Sequence, residues 1–87
     1  MVEYLVEIYT IRRFTNGLVT SDRGFSKVLK ESTVKLAKQA GKKTGYKYIG
    51  RYKDMYGNNC TQYERKAVEL SNSEDEVSFR QIFTKLK

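Results

Sequence analysis

The stretch VEYLVEIYTIRRF, residues 2–14, decides how the fold begins. Apolar or aromatic side chains occupy every second position at its start: Val2, Tyr4, Val6 and Ile8. Glu3 and Glu7 lie between them. A period of two residues is typical of a strand with one buried face, so the pattern predicts a strand over residues 2–14.

A chain reversal follows at Thr15-Asn16-Gly17, whose residues tolerate the backbone angles of a tight turn. The turn predicts a short returning strand through Leu18, Val19 and Thr20. Arg12 and Arg13 would then lie beside the tip of a β-ribbon. Two interpretations stay open: an arm that enters a groove or hooks a partner, or charges that keep an edge strand soluble.

The next segment has helical spacing. At about 100° per residue, Phe25, Leu29, Leu36 and Ala40 fall within roughly 60° of one another. Ser21 or Asp22 would cap the first turn, and Gly41 suits the residue that ends many helices. The pattern predicts an amphipathic helix over residues 25–40, with lysines on its opposite side: Lys27, Lys35, Lys38 and Lys42.

The period then returns to two, which predicts a strand over residues 46–56. One face of that strand would carry four tyrosines: Tyr46, Tyr48, Tyr52 and Tyr56. Lys47, Arg51 and Lys53 would lie on the other face. Gly57-Asn58-Asn59 predicts a turn, and residues 61–70 an antiparallel partner strand.

The last segment predicts a second helix over residues 74–86. Ser73 and Glu76 have capping-box spacing, and apolar residues follow at helical intervals: Phe79, Ile82, Phe83 and Leu86. The run Glu74-Asp75-Glu76 matches the dipole of a helix N-terminus. A competing interpretation is a strand through Val77, Phe79 and Phe83.

These elements give the order β(β)αββα and predict an α+β fold in a single domain, residues 1–87. The sheet would have three to four antiparallel strands, with two helices packed on one face. With 87 residues the chain has room for one core, so a surface site is favoured over a deep pocket.

Composition indicates a reducing compartment. Cys60 is the single cysteine and cannot close an intramolecular disulfide, and small secreted domains normally carry several. Residues 1–9 contain two glutamates and no basic leader, and no apolar run approaches the roughly 20 residues that span a bilayer. We therefore expect a cytoplasmic protein without a membrane partner.

Charge is distributed unevenly. The net charge is +7, but residues 23–53 hold ten basic side chains against Glu31 alone, a net charge of +9. Such a segment predicts a surface that attracts a polyanion, because ordinary surfaces intersperse both signs. The plainer interpretation is a solvated face. The candidate nucleic-acid-binding residues are Lys27, Lys35, Lys38, Lys42, Lys43, Lys47, Arg51, Lys53, Arg12 and Arg13.

The tyrosines of residues 46–56 allow two interpretations. Interleaved with Lys47, Arg51 and Lys53, they resemble a platform on which single-stranded bases stack while phosphates meet cations. Alternatively, this tyrosine face packs under the helices as core, since Tyr suits sheets. In that case the three cations point outward and binding would be electrostatic.

Catalysis has little support in the sequence. The chain has no histidine, and Cys60 has no partner for a thiol dyad or a zinc site. Gly41-Lys42-Lys43-Thr44-Gly45 suggests a phosphate loop, but Leu36 stands where its first glycine would be required. We predict no enzyme activity, cofactor or metal, with a histidine-free ribonuclease as an alternative.

The predicted order is similar to that of a ferredoxin-like or RNA-recognition-type domain without its last strand, although the aromatic signature of the latter is absent. Small size and richness in Lys and Tyr also resemble accessory proteins of bacterial viruses, many of which disarm a host protein. We expect nucleic-acid binding, DNA or RNA, with weak sequence specificity. The alternative is an inhibitor that binds an acidic or nucleic-acid-handling protein, and an open edge strand would allow a homodimer.

Overall fold

The computed structural model describes residues 2–67 and 76–86. The elements in chain order are β1 Glu3–Arg13, β2 Val19–Lys30, α1 Glu31–Lys43, β3 Lys47–Lys53, β4 Asn59–Lys66 and β5 Glu76–Lys85. The strands form one sheet in the spatial order β2-β1-β5-β4-β3, and every neighbouring pair is antiparallel. The last strand in sequence is therefore the central strand in space.

The first hairpin confirms the strand and the turn that the sequence predicts at its start. The amide of Phe14 donates to the carbonyl of Leu18 at 2.8 Å, and the amide of Leu18 donates to Asn16 Oδ1 at 2.9 Å. The returning strand is much longer than predicted: β2 has 12 residues and pairs with β1 as far as Glu3 opposite Lys30.

The helix predicted over residues 25–40 is wrong in its first part. Residues 25–30 belong to β2, where Phe25 lies opposite Ile8 and Leu29 opposite Tyr4. Pairing with β1 satisfies the backbone of this segment, and that tertiary contact outweighs a helical spacing that arises by chance. The helix begins at Glu31, and Lys30 before it is still extended at ψ 155°.

Gly41 was predicted to end the helix but lies buried inside it. The helix ends at Lys43, two residues later, and Gly45 just beyond it adopts φ +102°. The amide of Tyr46 donates to the carbonyl of Gly41 at 2.9 Å and the amide of Gly45 to that of Lys42 at 3.2 Å. This is the Schellman arrangement, which satisfies the last carbonyls of a helix.

The predicted final helix over residues 74–86 is also wrong, and the competing strand interpretation is correct. β5 lies between β1 and β4, with Phe83 opposite Val6 on one side and Thr61 on the other. Both edges of β5 are hydrogen-bonded, so its backbone gains more partners than a surface helix would supply. The predicted cap at Ser73 lies outside the described residues.

The two-layer fold with two helices on three to four strands is thereby corrected, over residues 2–67 and 76–86, to one helix on five strands. The helix packs on one face of the sheet around Val6, Val34 and Phe83, with Tyr4, Leu29, Ala37 and Tyr63 at its margin. We call this face the helix side and the opposite face the open side. In the part of the chain that the structure describes, no helix is long and apolar enough to cross a membrane.

A bulge in β3 changes which residues share a face. Tyr48 lies opposite Tyr63, but the next pair joins Gly50 to Gln62, so Ile49 has no opposite residue. Gly50 adopts φ +145°, a conformation that favours glycine. The tyrosines predicted on one face are therefore divided. Tyr48 lies on the helix side, and Tyr52, opposite Cys60, lies on the open side.

Candidate functional site

The two sides of the sheet carry different charges. Residues directly opposite each other on neighbouring strands share a face, so the strand pairing assigns each paired residue to a side of the sheet. Four acidic residues of the strands fall on the open side: Glu3, Glu7, Glu64 and Glu76. Asp22, opposite Thr10, falls on the helix side.

The open-side acids are largely neutralised by arginines of the same side. Ion pairs join Arg80 to Glu64 at 3.0 Å, Arg23 to Glu7 at 3.4 Å and Arg13 to Glu76 at 3.7 Å. The hydroxyl of Tyr9 also donates to Glu7 at 3.0 Å. The open side is therefore a mixed, internally paired surface.

On the helix side, three lysines follow one flank of α1. The Lys38 ammonium lies 5.7 Å from the centroid of the Tyr4 ring and 5.2 Å from that of Phe83, within the range of cation–π contacts. Burial lowers the pKa of Lys38, and the nearby Lys42 charge lowers it further. Lys35 and Lys42 stand three residues before and four residues after Lys38, so they share its flank and are exposed.

Basic residues of the strands continue this flank. Arg51 lies opposite Thr61, and Thr61 lies opposite Phe83, whose ring Lys38 contacts. The backbones of Arg51 and Phe83 are therefore two strand spacings apart, about 10 Å. Lys53 lies two residues further along β3, and Lys85 lies opposite Tyr4. We call these six residues the basic surface: Lys35, Lys38, Lys42, Arg51, Lys53 and Lys85.

Acidic residues are sparse around the basic surface. Glu31, in the first turn of α1, interacts electrostatically with Lys38. Asp22 lies on the arm formed by β1 and β2, opposite Thr10. Lys85 lies opposite Tyr4, six residues away along β1, so Asp22 is remote from it. Among residues 2–67 and 76–86, no ion pair within 4 Å involves a member of the basic surface. Its charges are therefore available to a partner.

The structure brings together five of the ten basic residues proposed from sequence, and it places the other five elsewhere. Lys27 lies opposite Val6 at the β2 edge of the helix side. Lys43 is exposed on the outer surface of α1, about 180° from Val34. Lys47 lies on the open side opposite Glu64. Arg12 and Arg13 lie near the tip of the arm, on opposite sides of it.

The tyrosines proposed for stacking also occupy different surroundings. Tyr48 is 55% exposed on the helix side, and its ring meets that of Tyr63 edge to face at 5.8 Å. Tyr46 is half-buried beside the Arg65 guanidinium, and Tyr56 is exposed in the β3–β4 turn. For Tyr52, burial and a hydrogen bond to Cys60 raise the pKa to about 12. Tyr48 is thus the one of the four that lies beside Arg51 on the helix side.

Sequence reasoning missed Lys85 and Arg65. Lys85 falls within the helix that the sequence predicts over residues 74–86, and its place beside Tyr4 depends on pairing between β1 and β5, which are distant in sequence. Arg65 had no distinguishing pattern. The structure places its guanidinium 4.9 Å from the Phe79 ring and 5.3 Å from the Tyr46 ring.

Metal-binding side chains are not clustered in the described ranges, where no group of three or more His, Cys, Asp or Glu residues could hold an ion. Comparison of the chain with protein-family models, curated proteins and solved structures gave no match. The geometry and charge of the chain itself are therefore the basis for a functional proposal.

Proposed function

We propose that the protein binds nucleic acid through the basic surface, with weak sequence specificity and without catalysis. The observation that carries this proposal is the segregation of charge across the sheet. The basic surface has six cations on one side, whereas the open side pairs its acids with arginines. A surface of one sign concentrates and steers a phosphate chain, and each neutralised phosphate releases counterions.

The number of cations limits the length of backbone that the basic surface can contact. One row of the sheet runs from Lys27 through Val6, Phe83 and Thr61 to Arg51. Four strand spacings separate its ends, a distance of about 19 Å. Val6 and Phe83, in the middle of this row, are buried under α1, so a bound strand would pass over the exposed lysines of α1 and not along the row. The basic surface has six cations, so it can neutralise at most about six phosphates.

Tyr48 supplies the stacking contact in this proposal. Its ring is more than half exposed and lies on the same side as Arg51. An exposed ring beside a cation favours single strands, whose bases are free to stack. The other three tyrosines of the predicted platform lie against Arg65, on the open side or in a turn, so we assign them no part in binding.

The salt dependence of binding tests the proposal. Fluorescence anisotropy would measure the affinity for a labelled 12-nucleotide single strand with hydroxyl ends, at about 50 and 200 mM salt. With about five phosphates neutralised, affinity should fall by roughly two decades over this range. An affinity that does not change with salt would overturn the proposal.

Two other outcomes would favour a different function. A basic surface can also meet an acidic protein, in which case a stoichiometric partner would persist after nuclease treatment of the purified protein and the oligonucleotide would bind weakly. If the labelled strand is made as RNA, its cleavage by the purified protein but not by a mock purification would instead indicate the ribonuclease alternative. Either result would replace simple nucleic-acid binding as the function.

A further inference from the structure

A second group of cations surrounds a cavity away from the basic surface. The cavity has a volume of about 530 Å³ and lies where the C-terminal turn of α1 meets β3 and β4. Its charged lining comes from Lys47, Glu64, Arg65 and Lys66. The volume is within the range of about 300–1,000 Å³ typical of small-ligand sites.

Arg65 is held in place by two aromatic rings. Its guanidinium carbon lies 5.3 Å from the centroid of Tyr46 and 4.9 Å from that of Phe79. Its Nε is buried and has no hydrogen-bond partner among the described residues. A guanidinium fixed in this way loses little conformational entropy when its remaining N–H groups bind an anion.

The charge balance of the cavity is positive. Lys47 and Lys66 add two cations from neighbouring strands, and both are exposed. Glu64 is the acid of the lining, and its Oε2 accepts a hydrogen bond from Arg80 Nη2 at 3.0 Å. Lys47 and Lys66 reach the cavity from the open side and Arg65 from the helix side, and Arg80 neutralises Glu64, so the lining carries a net positive charge.

We propose that this cavity binds the phosphate of a phosphomonoester, and, on the basis of the proposed function, that its source is the phosphorylated end of a nucleic-acid strand. A monoester carries a charge of about −1.5 to −2 at neutral pH, more than the single charge of an internal phosphodiester. It also presents three oxygens to the planar fork of Arg65, which suits paired hydrogen bonds. An internal phosphodiester of a nucleic-acid strand lacks both properties.

The test compares strands that differ only at their ends. Anisotropy would measure the binding of one 12-nucleotide sequence with a 5′-phosphate, a 3′-phosphate or two hydroxyl ends, labelled away from the tested end. A strand with a terminal phosphate should bind about tenfold more tightly, the effect of one charge-assisted hydrogen bond. The Arg65→Lys and Lys66→Gln variants should lose this preference and keep the affinity for the hydroxyl-ended strand.

The Lys35→Gln variant is the matched control, because it removes a cation from the basic surface and leaves the cavity intact. It should weaken all strands equally and preserve the tenfold preference. Lys66 is exposed, so Lys66→Gln should fold normally. It therefore still tests the cavity if Arg65→Lys is unstable. Equal affinity of the unmodified protein for all three strands would overturn the cavity proposal and leave the proposed function intact.

The nucleoside monophosphate AMP distinguishes the two sources of a phosphomonoester. One outcome is that no strand binds, that calorimetry detects AMP binding, and that Arg65→Lys abolishes it. The proposed function would then fail, and the phosphate site would be retained with a free phosphomonoester as its ligand. If neither the strands nor AMP bind, both proposals are overturned.

Discussion

The ammonium nitrogen of Lys38 lies 5.2 Å from the centroid of the Phe83 ring, so a cation of the basic surface rests directly on the hydrophobic core. Phe83 is 1% exposed and also meets Tyr63 edge to face at 5.7 Å. The core and the basic surface are therefore not independent. The central strand that supplies Phe83 also fixes where α1 and its lysines lie.

Replacing Phe83 by Ala should lower the free energy of unfolding by about 3–5 kcal/mol, because a fully buried ring is lost and a cavity remains. Phe83→Leu keeps more of the apolar volume and should cost less. Phe25→Ala is the matched control, since Phe25 is 42% exposed on the same side of the sheet and should change stability much less. Denaturant unfolding measures all three, and equal losses for Phe83→Ala and Phe25→Ala would contradict the assigned core.

Alkaline pH should destabilise the fold through Tyr52. Burial raises the pKa of Tyr52 to about 12 from its ordinary value of 10, so the folded state favours the neutral phenol. The stabilisation is fully present below pH 10 and is lost as pH rises towards 12, because the unfolded chain releases the proton first.

The Tyr52→Phe variant should therefore show a smaller loss of unfolding free energy between pH 9 and 11.5 than the unmodified protein. Tyr56→Phe, in the exposed β3–β4 turn, is the control and should behave as the unmodified protein does. Guanidinium unfolding at four pH values in this range measures the trend. Parallel losses in all three proteins would show that Tyr52 does not contribute.

Stacking should depend on Tyr48 and not on Tyr52. Tyr48→Ala should weaken the binding of single strands by about 5- to 150-fold, which corresponds to the 1–3 kcal/mol of one stacked base. Tyr52→Ala removes the same side chain from the open side, where we expect no contact, and should leave the affinity nearly unchanged. Anisotropy titrations decide between them, and an equal or larger effect of Tyr52→Ala would show that strands bind the open side.

The sequence predicted the elements whose pairing is local. The alternation through Val6 and the turn at Asn16-Gly17 are sufficient for the first hairpin, because its strands are adjacent in the chain. The prediction was wrong where pairing is distant. Phe79, Ile82 and Phe83 have helical spacing, but β5 lies between β1 and β4. No local feature of residues 76–85 indicates that this segment pairs with a strand on each side.

The candidate site was predictable in its charge and not in its geometry. The excess of lysine in residues 23–53 is visible in the sequence, and Lys35, Lys38 and Lys42 share a flank of α1 although the helix starts later than predicted. The division of Lys47 from Arg51 results from the bulge at Gly50, which reverses the alternation within β3. A single glycine gives no unambiguous signal of a bulge, so sequence reasoning placed both cations on one face.

The most direct measurement compares two triple variants that remove the same charge from opposite sides of the sheet. One carries Lys35→Gln, Lys42→Gln and Lys53→Gln on the basic surface, and the other carries Lys30→Gln, Lys47→Gln and Lys66→Gln on the open side. Both sets of lysines are exposed. With a hydroxyl-ended single strand, the slope of log affinity against log salt should fall by about 2 for the basic-surface variant, at about 0.7 per lost phosphate contact, and stay nearly unchanged for the open-side variant. Equal slopes in the two variants would mean that only total charge matters and would contradict a binding surface on the helix side.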